Sequence, residues 1–446
     1  MNIKGTLKKT ILPIVLLVFL WSMALLVQFT SEKATTNLDS YVPKNYNFVA
    51  KIDAKAIFKE TVLELLFEAK DEKVLTGMNE KLSESSDIKG NLGIDLLSDA
   101  FIFSVPFNKK TIKGVCFNLK KVSDFQKNSN ELISENVFVH VSGNKGYLFS
   151  SSEKISETEK KHFIETEIDV KANKKEINDN TLPKSDIYLM TKENVFGRNT
   201  TFSSSQIGIK TLKNTVKIEG NLIPSKKTLQ TINSIDYKLK SNPKLFNFAS
   251  GIIPSTIQDT LKYFTSKVGL TLPDIKSVSF NYEGLEMMES VMLPNINLII
   301  QFQEDVSTNE FLKNELFLSK LEATSQEEEV IIEGKTYYIH QINSSCISIG
   351  INKKVNYTKS NHSFEINGNL GNLFEIKNGG MFVSFLEGIP VFKAPKELFN
   401  ASKEFNLSII KEEENNYKLD GELRFKKGTY TMNELTKFAL EIQKIF

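Results

Sequence analysis

A self-similarity with a period near 200 residues constrains this 446-residue chain more than any other feature. Asn47-Phe48 is matched by Asn247-Phe248, 200 positions later (247 − 47). The apolar positions Phe58, Val62, Leu65 and Ala69 are answered by Ile257, Leu261, Phe264 and Val268, each 199 later. Both sets follow i, i+4, i+7, i+11, a spacing that places them on one helical face. Val137-Phe138-Val139-His140 corresponds to Tyr337-Tyr338-Ile339-His340 at 200, and His162 to His362 at 200. Near the end, 216–222 parallels 417–423 at an offset of 201. An offset that barely drifts reads as two diverged copies of one module. The expected boundaries are 45–240 for a first α+β repeat and 245–446 for a second.

Within each copy the pattern alternates more than it runs continuously apolar, so an antiparallel sheet with helices on one face is expected rather than a doubly wound parallel sheet. The clearest hairpin lies at the end of the second copy. Phe405, Leu407 and Ile409 alternate on one face, a polar tip follows, and Tyr417, Leu419, Gly421, Leu423 and Phe425 alternate back. A helix-period stretch carrying Met432, Leu435, Ala439, Ile442 and Phe446 closes the chain. Linkers are expected at 31–44 and around 241–243. The expected fold class is therefore α+β, an N-terminal transmembrane helix followed by two copies of an antiparallel-sheet-plus-helix module.

That transmembrane helix is read from the apolar run 11–29, interrupted only by Pro13, Ser22 and Gln28. About 20 apolar residues are needed to cross a hydrocarbon core of about 30 Å. The exit at 26–31 shows no small-residue cleavage pattern, so a retained signal anchor is favoured over a cleaved signal peptide. Lys4, Lys8 and Lys9 precede the run without an acidic neighbour, whereas Glu32, Lys33, Asp39 and Lys44 roughly cancel after it. The positive-inside rule then predicts residues 1–10 in the cytoplasm, 11–29 as the anchor, 30–44 as a linker, and the bulk of the chain outside, in a periplasm-like compartment.

Composition is 40% hydrophobic and 25% charged, ordinary for a globular chain, and the formal net charge of +2 argues against a nucleic-acid partner. Cys116 and Cys346 are too few for a disulfide framework; both lie in apolar, strand-like segments, where buried free thiols are expected, with a single bridge as the alternative.

Catalytic signatures are scarce. Neither a G-x-G-x-x-G nor a G-x-x-x-x-G-K-[ST] loop occurs, and G-x-S-x-G is missing. Gly143-Asn144-Lys145-Gly146 reads as a hairpin turn rather than a phosphate loop. Ser151-Ser152-Glu153-Lys154 fits S-x-x-K, but its partner motifs S-D-N and K-T-G do not occur. A metal site would need imidazoles beside a carboxylate, and His162 and His362 are each followed three residues later by Glu165 and Glu365. Equivalent residues of two copies occupy equivalent places rather than one place, so a structural role is expected for all four histidines. The acidic runs 327–329 and 412–414 read as turn tips. No catalytic residue, cofactor or metal ligand is assigned. The 32 phenylalanines are mostly core, yet they leave room for a phenylalanine-lined concavity holding an acyl chain or apolar peptide.

The segment 42–53, with its Val49-Ala50-Lys51-Ile52-Asp53 strand, the step Gly93-Ile94-Asp95 and the apolar strand Ala100-Phe101-Ile102-Phe103 resemble the opening of uncharacterised exported or membrane-anchored bacterial envelope proteins. The resemblance covers about the first 100 residues after the apolar run and implies an envelope location and no catalytic residue. The functional expectation is a non-enzymatic, membrane-tethered binding or scaffolding protein of the bacterial envelope, with an envelope protein or lipid as partner. A lipid- or apolar-ligand-handling protein is the alternative, and an enzyme with a site assembled from distant residues the third. A buried apolar groove of several hundred cubic ångströms would favour the second reading, and a solid core the first.

Overall fold

The computed structural model describes residues 42–43, 45–57, 92–95, 98–169, 185–192, 202–212, 214–225, 232–242, 246–253, 255–288, 291–368, 402–413 and 416–426. The chain divides into two compact units, one formed by 1–45 and 51–178, the other by 46–50 and 179–446. Strand β1 (Phe48–Ile52) contributes its last two residues to the first unit and its first three to the second.

In the first unit β2 (Ala100–Phe107) pairs with β3 (Lys110–Asn118), and β4 (Val137–Ser142) with β5 (Lys145–Ser151). β3 and β5 join the two hairpins, giving the order β2-β3-β5-β4, all antiparallel. The β4–β5 turn is the one read from glycine spacing: Ser142 faces Lys145, and Gly143 takes a φ of +63°, which favours glycine. Among the described residues, α1 (Val122–Asn128) and α2 (Glu157–Phe163) accompany the sheet, the second running on into a π-helical turn, Ile164–Ile168. Ser156 and Glu159 close a capping box at the start of α2, satisfying two orphan backbone donors. Its last residue, Phe163, is fully buried against Phe149 and Phe107, with ring centroids 5.3 and 5.2 Å away.

The second unit is dominated by antiparallel strands: β6 (Ile187–Lys192), β7 (Phe202–Leu212), β8 (Thr215–Pro224), β10 (Phe246–Ser250), β11 (Ile275–Met288), β12 (Val291–Phe302), β13 (Ala323–Gln326), β14 (Glu329–Ile332), β15 (Lys335–Asn343), β16 (Cys346–Gly350), β18 (His362–Gly368), β19 (Ser402–Glu413) and β20 (Asn416–Phe425). Hydrogen bonding orders them β6-β7-β8-β20-β19-β18-β10-β11-β12-β16-β15-β14-β13. A separate pair, β9 (Tyr237–Leu239) with β17 (Tyr357–Lys359), is antiparallel too. Its described residues also form the helices α3 (Ser255–Lys267), α4 (Asn309–Leu312) and α5 (Glu315–Lys320).

This arrangement corrects the expected fold class. The described chain is mostly antiparallel sheet with a few short helices, rather than two α+β modules behind a membrane anchor. The second unit takes up the chain from residue 179 onward. The physical reason is the pairing of β8 with β20 over eight registered positions, Tyr417↔Leu222 through Arg424↔Thr215. It places the β7–β8 hairpin beside the β19–β20 hairpin, which begins 200 residues later (402 − 202), in one sheet. The 200-residue offset therefore does not mark two separate modules. The β19–β20 hairpin itself is present with the predicted alternation.

No helix among the described residues is long and apolar enough to cross a membrane. The expected anchor, and the orientation inferred from its flanks, thus find no support, and 11–29 itself lies outside the described residues. The helical face at Phe58, Val62, Leu65 and Ala69 and the closing helix at 432–446 also lie outside them.

Candidate functional site

The site is built on β12 and the strands beside it in the second unit. Alternation along β12 sends its even residues to one face of the sheet and its odd residues to the other. Asn297, Ile299 and Gln301, all buried, face the β9 side, where Ile299 packs with Leu239 and Cys346. Ile296, Ile300 and Phe302 face the opposite side, joined by Ile349 of β16 and by Val330 and Ile332 of β14.

Over this second face lie the three helices. A Schellman motif ends α3: Leu270 N–H donates to Thr265 C=O (2.9 Å) and Gly269 N–H to Ser266 C=O (3.1 Å). Gly269 holds φ at +74°, and an added Cβ would meet Leu316 Cδ2 at 2.8 Å. The Gln258 side chain fixes α3 to the sheet, donating to the Ile275 carbonyl (2.6 Å) and accepting from the Ile275 N–H (3.0 Å). Asn314 caps α5 by accepting from Phe317 N–H (2.9 Å), and donates to the Gly269 carbonyl (2.8 Å). These bonds tie the end of α3 to the start of α5.

The roof so held does not close down on the sheet. Phe302, Phe311, Val330 and Ile339 form a buried core, but Ile300, Ile332, Ile349 and Leu272 remain only half-buried because they face a cavity of about 400 Å³. Leu261 of α3, which sequence periodicity placed on the apolar face of a helix, lines this cavity and is 39% exposed. The polar groups of its wall are already engaged. Gln258 is bound as above, Thr265 Oγ1 donates to the Lys262 carbonyl (3.2 Å), and Tyr337 OH donates to the Pro294 carbonyl (2.9 Å). Burial, with the Glu286 carboxylate adding to it, pushes the Tyr337 phenol up to about 12, so it stays a neutral donor. Lys262 and Asp274 form a half-exposed ion pair at the rim (2.7 Å). Beside Tyr337, the buried ammonium of Lys335 is held by Glu286 (2.9 Å) and Asn295.

The opposite face carries a polar lattice that clamps the β9 segment. Asp236 Oδ2 accepts from Lys276 (2.7 Å) and Gln301 (2.7 Å). Glu365 Oε2 accepts from Lys238 (2.6 Å) and hydrogen-bonds His362 Nδ1 (2.8 Å), while Asn367 donates to Oε1 (2.6 Å). Burial pushes the Glu365 carboxyl up, but the hydrogen bonds and positive charge of His362 and Lys238 outweigh it and hold the group at about 2.

The histidine–carboxylate spacing noted in the sequence therefore resolves differently in its two instances. His362 and Glu365 do meet, but an ammonium occupies the same carboxylate oxygen, which disfavours a cation there. His162 lies against the Phe107 ring (5.8 Å), and Glu165 is near Lys161 (3.9 Å). His140 faces Asp169 at 3.7 Å, and His340 Nδ1 meets Glu328 Oε2 at 2.9 Å. Among the described residues no three potential metal ligands converge. Lys154 of the S-x-x-K match pairs with Glu135 (2.7 Å), while Ser151 accepts from the Glu153 N–H. Cys116 and Cys346 are both free and buried.

No family model matches the chain, and no curated protein matches it. Among solved structures, two crystal forms of TP0453 align at 7% identity with TM-scores of 0.25 and 0.24; each covers 56% of this chain, and 92% and 93% of the other chain. A likeness that slight transfers neither fold nor function.

Proposed function

We propose that this chain binds an apolar ligand, an acyl chain or comparable hydrocarbon, between α3–α5 and the sheet of the second unit. The observation that carries the proposal is the cavity of about 400 Å³, walled by aliphatic and aromatic side chains whose few polar neighbours are already hydrogen-bonded. Ligand pockets commonly span about 300–1,000 Å³. The cavity is partly open to solvent, as the 39% exposure of Leu261 shows. A hydrocarbon entering it removes this apolar wall from water, at about 25 cal/mol per Å² of apolar surface covered. That gain supports ligand handling over a scaffold with a solid core. The Lys262–Asp274 pair at the rim offers a polar end of the ligand its contact with solvent-side charge.

Transfer of each methylene from water contributes about 0.8 kcal/mol, close to a fourfold gain in affinity. The test is displacement of an anthroyloxy-labelled fatty acid from the purified full-length chain by saturated fatty acids of increasing length. Affinity is expected to rise about fourfold per methylene and to level off once the cavity is full. An affinity independent of chain length, in folded monodisperse protein, would sink the proposal.

A further inference from the structure

In the first unit β4 pairs with β5 on one side, and among the described residues no strand pairs on the other. The register shows which backbone groups face that open side. The C=O and N–H of Val137 both bond Ser134, away from β5 (3.0 and 3.3 Å). Hydrogen-bonding direction alternates along an antiparallel strand, so Val139 and Val141 turn their N–H and C=O the same way. No described backbone group takes them.

Natural edge strands are blunted by lysine, proline, a bulge or a covering segment. Val137-Phe138-Val139-His140-Val141 has no lysine or proline, and its register to β5 is unbroken from Val137↔Ser150 to Ser142↔Lys145. Its valines and phenylalanine favour extended structure. Moreover, Val139-His140-Val141 is the same sequence read from either end. In an antiparallel two-fold pairing, each Val139 would face the Val141 of a second copy, exchanging four backbone hydrogen bonds around a central His140 pair.

The cleft beside this edge, about 520 Å³ between β4 and α2, carries charges of both signs. Lys160 and Lys161 stand with Glu157, Glu165 and Asp169, and Lys160 already pairs with Glu157 at 2.6 Å. A mixed rim suits its own two-fold image better than a partner of uniform charge. We propose that β4 is a self-association strand, through which two copies of this chain join their first-unit sheets edge to edge.

The test is a disulfide across the two-fold axis in the full-length chain. The central His140 pair would be a non-hydrogen-bonded pair with Cα atoms about 4.5 Å apart, inside the disulfide range of about 4.4–6.8 Å. His140→Cys is therefore expected to oxidise to a species of twice 50.5 kDa, while Cys116 and Cys346 stay buried and inert. Adding Val141→Lys should cut the crosslinked fraction at least tenfold, and Ser150→Cys, on the exposed side of β5, should crosslink only at background. A folded His140→Cys chain that stays monomeric, or a Ser150→Cys chain that crosslinks as well, overturns the proposal. Should His140→Cys not fold, sedimentation of the unsubstituted chain decides. A doubling of mass at high concentration that Val141→Lys reverses supports the strand, and a monomer throughout overturns it.

Discussion

Filling the cavity from within separates a binding site from loose packing in the core. Ile300 projects from β12 toward the cavity and is half-buried. Ile300→Phe adds three carbons in a direction where the wall offers room. In a well-packed interior such an enlargement costs about 1–3 kcal/mol, because neighbours must leave their rotamers. Facing the 400 Å³ cavity, the same carbons find apolar surroundings without forcing neighbouring side chains from their rotamers. At about 0.8 kcal/mol each they should stabilise the unliganded protein by roughly 2 kcal/mol. They also occupy the ligand's room, so fatty-acid affinity should fall by roughly the same 2 kcal/mol, about thirtyfold. The chain holds two units, so a single unfolding midpoint is a poor reporter. Hydrogen exchange at the β12 and β16 amides reads the local effect instead. Slower exchange combined with weaker binding is the expected pair of results. Faster exchange with unchanged binding would refute the reasoning, since it would mean the space closes in solution and the ligand sits elsewhere.

Two further outcomes follow from the buried ionisable groups. Glu365 is held at about 2 against an ordinary 4.5, so its ionised form contributes stability that is fully present above pH 4.5 and lost as pH falls toward 2. The shift at about 1.36 kcal/mol per unit, discounted for solvent screening of the ion cluster, gives a contribution on the order of 1–2 kcal/mol. Glu365→Gln should accordingly speed exchange in β9 and β18 at pH 7 but leave it nearly unchanged at pH 2, and an equal effect at both would count against the ion cluster. Burial pushes the thiols of Cys116 and Cys346 up to about 12, a hydrogen bond from Tyr147 and the charge of Lys145 offsetting only part of it at Cys116, while Asp236 adds to it at Cys346. Neither thiol should alkylate with iodoacetamide at pH 8 in the folded chain, and both should react within minutes in denaturant, as followed by intact mass; ready labelling of the native protein would show that one of these strands opens.

Much of the local structure was legible because it rests on short-range periodicity. The alternation over 405–425 predicted the β19–β20 hairpin, Gly143-Asn144 predicted the β4–β5 turn, and the spacing of Ile257, Leu261, Phe264 and Val268 predicted a helix, found as α3 and ending one residue short of Val268. The strand setting of His140 and His340 was also readable. Long-range pairing was not. A repeat in sequence says that two segments share a local shape, but not which neighbour each strand will bond. Here β8 pairs with β20, so two hairpins 200 residues apart share one sheet. The cavity escaped for a related reason. Ile300, Ile332 and Ile349 are ordinary β-strand residues in sequence, and nothing local distinguishes an isoleucine that meets a helix from one that lines a cavity. That difference is set by Gln258, Gly269 and Asn314, which hold α3 and α5 where they are through bonds to backbone groups 17 and 45 residues away. Residue types and their spacing determine which face of an element is apolar. What covers that face, and whether it is covered completely, depends on distances between elements that only the packed chain sets.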